Sequence, residues 1–76
     1  MKLCELIPGQ RAEVVSVNAG GVQAARLRAL GIAAGEEVTL LRRAPFGGGL
    51  LLSCGGTRVA LRASVAARID VREIAP

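Results

Sequence analysis

Few residues in this chain could do chemistry. It has two cysteines, Cys4 and Cys54, and no histidine. A structural zinc site needs four Cys, His or acidic ligands, and the sequence offers neither a CxxC pair nor a Cys/His set. Without histidine no side chain titrates near neutral pH by default, and neither thiol has an imidazole to activate it. Glu36 and Glu37 are adjacent carboxylates, but neighbours on a strand face opposite ways and cannot share a proton. Gly47–Gly49 has the composition of a phosphate-cradling loop, yet no Gly-Lys-Ser/Thr follows and the segment leads into a strand. These residues argue against catalysis and against a resident cofactor or metal. Direct sensing of a metal would fall to carboxylates, as hard oxygen ligands.

The cations are the other chemical feature. Nine of the ten are arginine, and the net charge is +4 against six acids. A basic balance favours an anionic partner, while scattered arginines also serve as a solvated surface. Arg58, Arg62 and Arg42 are expected to point outward from strands, where a small barrel could bind nucleic acid. Single-strand readers stack bases on aromatic rings, however, and the only aromatic residue here is Phe46. No nucleic acid is therefore expected. Cys54 alternates with Leu52 and Leu50 and reads as a buried small hydrophobe. The sequence leaves a Cys4–Cys54 disulfide open.

The elements that must position these residues are short. The chain has 76 residues, sufficient for one domain, 1–76, and an apolar fraction of 51% says that it folds. With one aromatic residue, the core must be aliphatic. Pro8-Gly9 predicts a type II turn into a strand over Ala12–Val17, apolar on both faces and hence central. Val22–Leu30 predicts a short helix, with Leu27 and Leu30 on one side and Val22 and Ala29 further round. On that wheel Arg28 points away, while Arg26 falls inside the apolar arc. Gly31 is placed to end the helix in a left-handed conformation, with Ile32 closing on Leu27 as a Schellman motif requires.

Gly35 then turns the chain into a strand through Val38 and Leu40. The pattern Gly9-x-x-Ala12-x-Val14 recurs as Gly35-x-x-Val38-x-Leu40. Leu50–Cys54 and Thr57–Arg62 form a hairpin about Gly55-Gly56, with Val59 and Leu61 inward and Arg58, Ala60 and Arg62 outward. Ala63–Ala67 predicts a helical turn with Ser64 as N-cap, and Ile69 and Val71 face inward from a last strand. Five short strands, one short helix and a helical turn predict a mainly β fold, a small barrel whose closure hides sheet edges. The N-terminus lacks a signal-peptide pattern, and the longest uncharged run, Ala44–Thr57, is glycine-rich and too short to span a bilayer. A cytoplasmic protein without direct membrane insertion is expected.

The order and spacing of "LIPGQRAEV", "RLRALGIAAGEEVTLLRRAPFGG" and "GGTRVALRASVAARIDV" resemble the FeoA family over about Leu3 to Val71. The resemblance implies an SH3-like β-barrel. It also implies a non-enzymatic accessory protein of ferrous iron uptake, whose partner would be the cytoplasmic, GTPase-containing part of an FeoB-type membrane transporter. A similar barrel ends iron-dependent repressors of the DtxR type, but the DNA-binding helices of such a repressor do not precede the pattern. One departure lies in "APFGGGLLL", where the family often has Gly-Asp-Pro-like residues after Ala-Pro. There Phe46 is expected to pack over an end of the barrel by burial preference, or else to anchor a partner, and one of Leu50 and Leu51 to be exposed. The expected partner-binding residues are Arg26, Arg28, Leu30, Phe46 and Leu51. Self-association is left open.

Overall fold

A computed structural model describes residues 1–74. Its five strands are β1 (Arg11–Val17), β2 (Glu37–Arg43), β3 (Leu50–Cys54), β4 (Thr57–Leu61) and β5 (Ile69–Glu73). Helix α1 (Gly21–Ala29) joins β1 to β2, and the single turn α2 (Ala63–Ala66) joins β4 to β5. The strands form one antiparallel sheet in the order β4-β3-β2-β1-β5, so β1 is interior as its two apolar faces predict. One aliphatic core lies on the inner face, with Leu3, Leu6, Val14, Ile32, Val38, Leu40, Leu52 and Ile69 fully shielded.

The turns follow the glycines. The Gln10 N–H donates to the Ile7 carbonyl across Pro8-Gly9, with Gly9 at φ 89°. Gly55 and Gly56 both take positive φ, which matches a two-residue hairpin turn to the right-handed twist of its strands. Bulges between Val14 and Ser16 and between Leu40 and Arg42 each shift the register, since the extra residue has no opposite number. The second bulge sets Arg42 opposite Leu51.

Helix α1 ends as expected. Gly31 has φ 91°, the Ile32 N–H donates to the Leu27 carbonyl at 2.8 Å, and the Gly31 N–H donates to the Arg28 carbonyl at 3.0 Å. Those are the two bonds of a Schellman motif, and Leu27 and Ile32 are both buried.

The face that α1 buries differs from expectation. Leu27 alone is buried, with Gln23 and Ala24 half-buried, while Val22, Ala29 and Leu30 are exposed, Val22 at 71% and Leu30 at 44%. The Schellman stop accounts for Leu30. It is the C-cap, and the reversal at Gly31 sends Ile32 rather than Leu30 into the core.

Two smaller expectations also change. Ser64 does not cap α2; the helix begins two residues earlier than Ser64 would require, with Arg62 at the N-cap. The Arg62 carbonyl accepts the N–H groups of Val65 and Ala66. Leu50 is buried and Leu51 half-buried, because β3 alternates strictly against the core. Cys54 is buried as expected, desolvation raises its thiol pKa, and both cysteines are free thiols.

Candidate functional site

Phe46 is fully exposed, so it does not pack over the barrel. The backbone explains why. Phe46 has φ 59° and ψ 32°, the left-handed region, between Pro45 and a left-handed Gly47 at φ 71°. It is the single non-glycine residue with positive φ among those described. A bulky side chain costs about 1–2 kcal/mol in that region. The loop thus spends conformational energy and leaves apolar surface in water.

Behind that loop, Gly49 brings two backbones together. It has φ 129°, and a Cβ built there would lie 2.5 Å from the Leu61 carbonyl oxygen. The loop is thereby held against the end of β4. An open groove runs between them, lined by Ala44, Gly48, Leu51, Ala60, Arg42 and Arg62. A second groove begins at the same end of β4, Ala60 and Leu61 with the following Arg62, and continues to Val22, Gln23 and Arg26 of α1 and Val65 of α2.

Of the residues expected to meet a partner, Arg26 and Leu51 therefore line adjoining grooves, and Phe46 tips the loop that walls one of them. Arg28 lies elsewhere, beside Val17, Ala24, Ile32 and Ala34. Leu30 faces solvent at the end of α1. Arg26 is exposed, and the arc of Val22, Arg26 and Leu30 faces water rather than the core. Its location needs no packing explanation. Arg26 and Arg28 both sit in the last turn of α1, where a cation complements the exposed carbonyls.

A polar cluster that no sequence pattern announces is centred on Asp70, on the other edge strand, β5. Lys2 Nζ lies 2.6 Å from Asp70 Oδ1, while Ser16 Oγ and Asn18 Nδ2 donate to Oδ2 at 3.0 and 2.8 Å. Hydrogen bonds from Lys2, Asn18 and Ser16 lower the Asp70 pKa to about 2. The cluster belongs to the fold. It ties the N-terminal segment onto β5, where the Val71 N–H also donates to the Met1 carbonyl at 2.8 Å. No local pattern marks it, because β1, β5 and the N-terminus meet only in the folded sheet.

Among the described residues the remaining ion pairs are Arg11–Glu37, at 2.7 Å, and Arg72–Glu13. Arg43 donates to the carbonyls of Cys4 and Leu6. Arg26, Arg28, Arg42, Arg58, Arg62 and Arg68 make no ion pair among the described residues. Among those residues, too, no three of His, Cys, Asp and Glu are grouped to hold a metal, and no helix is long and apolar enough to cross a membrane.

Comparison with known proteins accords with this architecture. The chain is similar to the FeoA protein of Chlorobium tepidum at 40% identity and TM-score 0.93, covering 99% of this chain and 71% of that one. It is 45% identical to Stenotrophomonas maltophilia FeoA, with TM-score 0.80, covering 95% and 89% of the two chains. The latter, solved with zinc, is described as a prokaryotic SH3-domain protein and a candidate activating factor for bacterial ferrous iron transport. A manganese-dependent transcriptional repressor shares the fold alone, at 22% identity and TM-score 0.85, over 97% of this chain and 36% of its own. A search of curated proteins returns no match. The FeoA domain pattern matches residues 1–73, and with these relatives and its five-stranded SH3-like fold the chain belongs to the FeoA family.

Proposed function

We propose that this protein is a non-enzymatic, cytoplasmic accessory module of ferrous iron uptake that binds the GTPase-containing cytoplasmic part of an FeoB-type transporter. Family membership supports the link to iron transport. The single observation that carries the binding role is Phe46, an exposed aromatic ring held in a left-handed backbone conformation. Folding gains nothing from that arrangement. A strained residue that packs against nothing is the kind of feature that a binding surface retains. Aromatic anchors supply a large share of interface energy when a partner's pocket desolvates them.

The contact surface on this reading is the face shared by the Phe46 loop, Leu51 and Arg26, with Arg28 and Leu30, which lie off these grooves, as separate contacts from α1. Co-purification with the transporter's cytoplasmic domain tests the role. Wild type should be retained, and Phe46→Asn and Arg26→Ala should be lost while keeping native circular dichroism. Failure of the wild type to be retained would overturn the reading.

A further inference from the structure

The strand order is open where closure is expected to hide the sheet edges, because β4 and β5 do not pair; two edges remain, and the protein treats them differently. The N-terminal segment covers the β5 edge, through the Lys2–Asp70 bridge and the Met1–Val71 hydrogen bonds. Nothing equivalent covers β4 among the described residues.

The register shows which groups β4 presents. Cys54 pairs with Thr57 across the two-residue turn, so Leu52–Val59 and Leu50–Leu61 are the other pairs that exchange backbone bonds with β3. Arg58 and Ala60 therefore turn their N–H and C=O groups outward, away from β3. No other backbone group among the described residues bonds them. Helix α1 stands across this edge without packing along it, and leaves the groove lined by Ala60, Arg62, Val22 and Arg26.

Charge decides what can fill that groove. The six acids are Glu5, Glu13, Glu36, Glu37, Asp70 and Glu73, and none falls within residues 14–35 or 38–69. The groove's walls come from those two acid-free stretches. Arg26, Arg42 and Arg62 line the two adjoining grooves with no acid beside them, and Arg58 is exposed on the same strand. A second copy of β4 added antiparallel would bring arginines against arginines, and like charges across a ladder are destabilising. The edge is thus protected against self-pairing and complementary to negative charge.

We infer that the free edge of β4 accepts an extended acidic segment of a partner protein as an added sixth strand, with carboxylates on Arg26, Arg58 and Arg62. The inference rests on the accessory-module reading above and names the partner's chemistry. Main-chain bonds to Arg58 and Ala60 would hold the segment, and alternate side chains would meet the arginines. A peptide fits better than single-stranded nucleic acid, because β4 and its grooves carry no ring on which bases could stack.

The test titrates the full chain with the peptide acetyl-Glu-Val-Glu-Val-Glu-Val-Glu-amide and follows backbone amide resonances. Shifts and slowed hydrogen exchange are expected at Arg58 and Ala60, with affinity falling as salt rises. The R58E/R62E double variant should weaken binding about tenfold or more. Ala60→Pro should abolish it, because proline removes one outward N–H at an edge position without touching the β3 ladder. A peptide with Lys for Glu that binds equally well would overturn the inference. So would tighter binding of oligothymidine or phosphatidylglycerol vesicles to the same arginines. Should the transporter domain be captured equally by wild type and R58E/R62E, this inference falls and the accessory role stands. Should the acidic peptide bind β4 while wild type captures no transporter domain, the edge site stands and the accessory role falls.

Discussion

The Gly9 N–H donates to the Leu40 carbonyl at 2.7 Å, and the Gly35 N–H donates to the Val14 carbonyl at 2.8 Å. Leu40 and Val14 return the favour, giving their N–H groups to the carbonyls of Gln10 and Glu36 at 3.0 and 2.8 Å. Each glycine turn thus extends the strand pairing that the other turn begins. The repeated Gly-x-x-apolar-x-apolar pattern is the sequence trace of this reciprocity between β1 and β2. Both glycines have φ near 90°, and a Cβ at either would meet no neighbour within 4 Å.

Backbone conformation alone should therefore set the cost of replacing them. Gly9→Ala and Gly35→Ala are each expected to lose about 1–2 kcal/mol of stability in urea unfolding. Equal costs from the two positions would bear out the reciprocal arrangement.

Gly49 adds a steric requirement to a conformational one. Gly47→Ala faces open space and should cost about 1 kcal/mol from its positive φ. Gly49→Ala drives its methyl onto the Leu61 carbonyl oxygen and should cost about 3 kcal/mol or more. Thermal denaturation of the pair separates the two effects.

Helix α1 offers a contrast between two leucines three positions apart. Leu27→Ala leaves a hole under the Schellman stop and should cost about 2–4 kcal/mol. Leu30→Ala, on the exposed side, should stay within about 0.5 kcal/mol. Reversed magnitudes would mean that the helix turns its other face to the core.

The Asp70 cluster makes a pH prediction. The folded pKa of about 2 lies below the ordinary value of 3.8, so protonation weakens the folded state more than the unfolded chain. The contribution is full above about pH 4 and is lost as pH falls through about 2. Asp70→Asn should remove that part of the acid sensitivity, seen as a flatter plot of unfolding midpoint against pH between 4 and 2.

Phe46→Asn separates folding from binding. Asparagine tolerates the left-handed region better than phenylalanine, so the melting temperature should hold or rise. Capture of the transporter domain should fall about tenfold or more. A variant that melts earlier yet binds normally would assign Phe46 to the fold.

What the sequence determined here is what short-range physics controls. Gly9, Gly31, Gly35, Gly55 and Gly56 take the left-handed conformations that their turns need. Ile32 closes on the carbonyl of Leu27, and the alternation of Val38, Leu40, Val59, Leu61, Ile69 and Val71 sorts inside from outside. Each of those depends on residues a few positions apart.

Tertiary structure decided what depends on distant neighbours. The helical wheel set Leu30 beside Leu27 and Val22 further round, but α1 meets the sheet along a single narrow face, so both Val22 and Leu30 remain in water. Phe46 has the hydrophobicity of a core residue, and its exposure follows from a loop whose path Gly49 and the β4 backbone dictate. Asp70 gathers Lys2, Ser16 and Asn18 only because a bulge and two strand pairings bring them together. The candidate site shares that character. Arg26, Leu51, Arg58 and Arg62 are scattered along the sequence, and they become one face because the sheet leaves β4 as its uncovered edge.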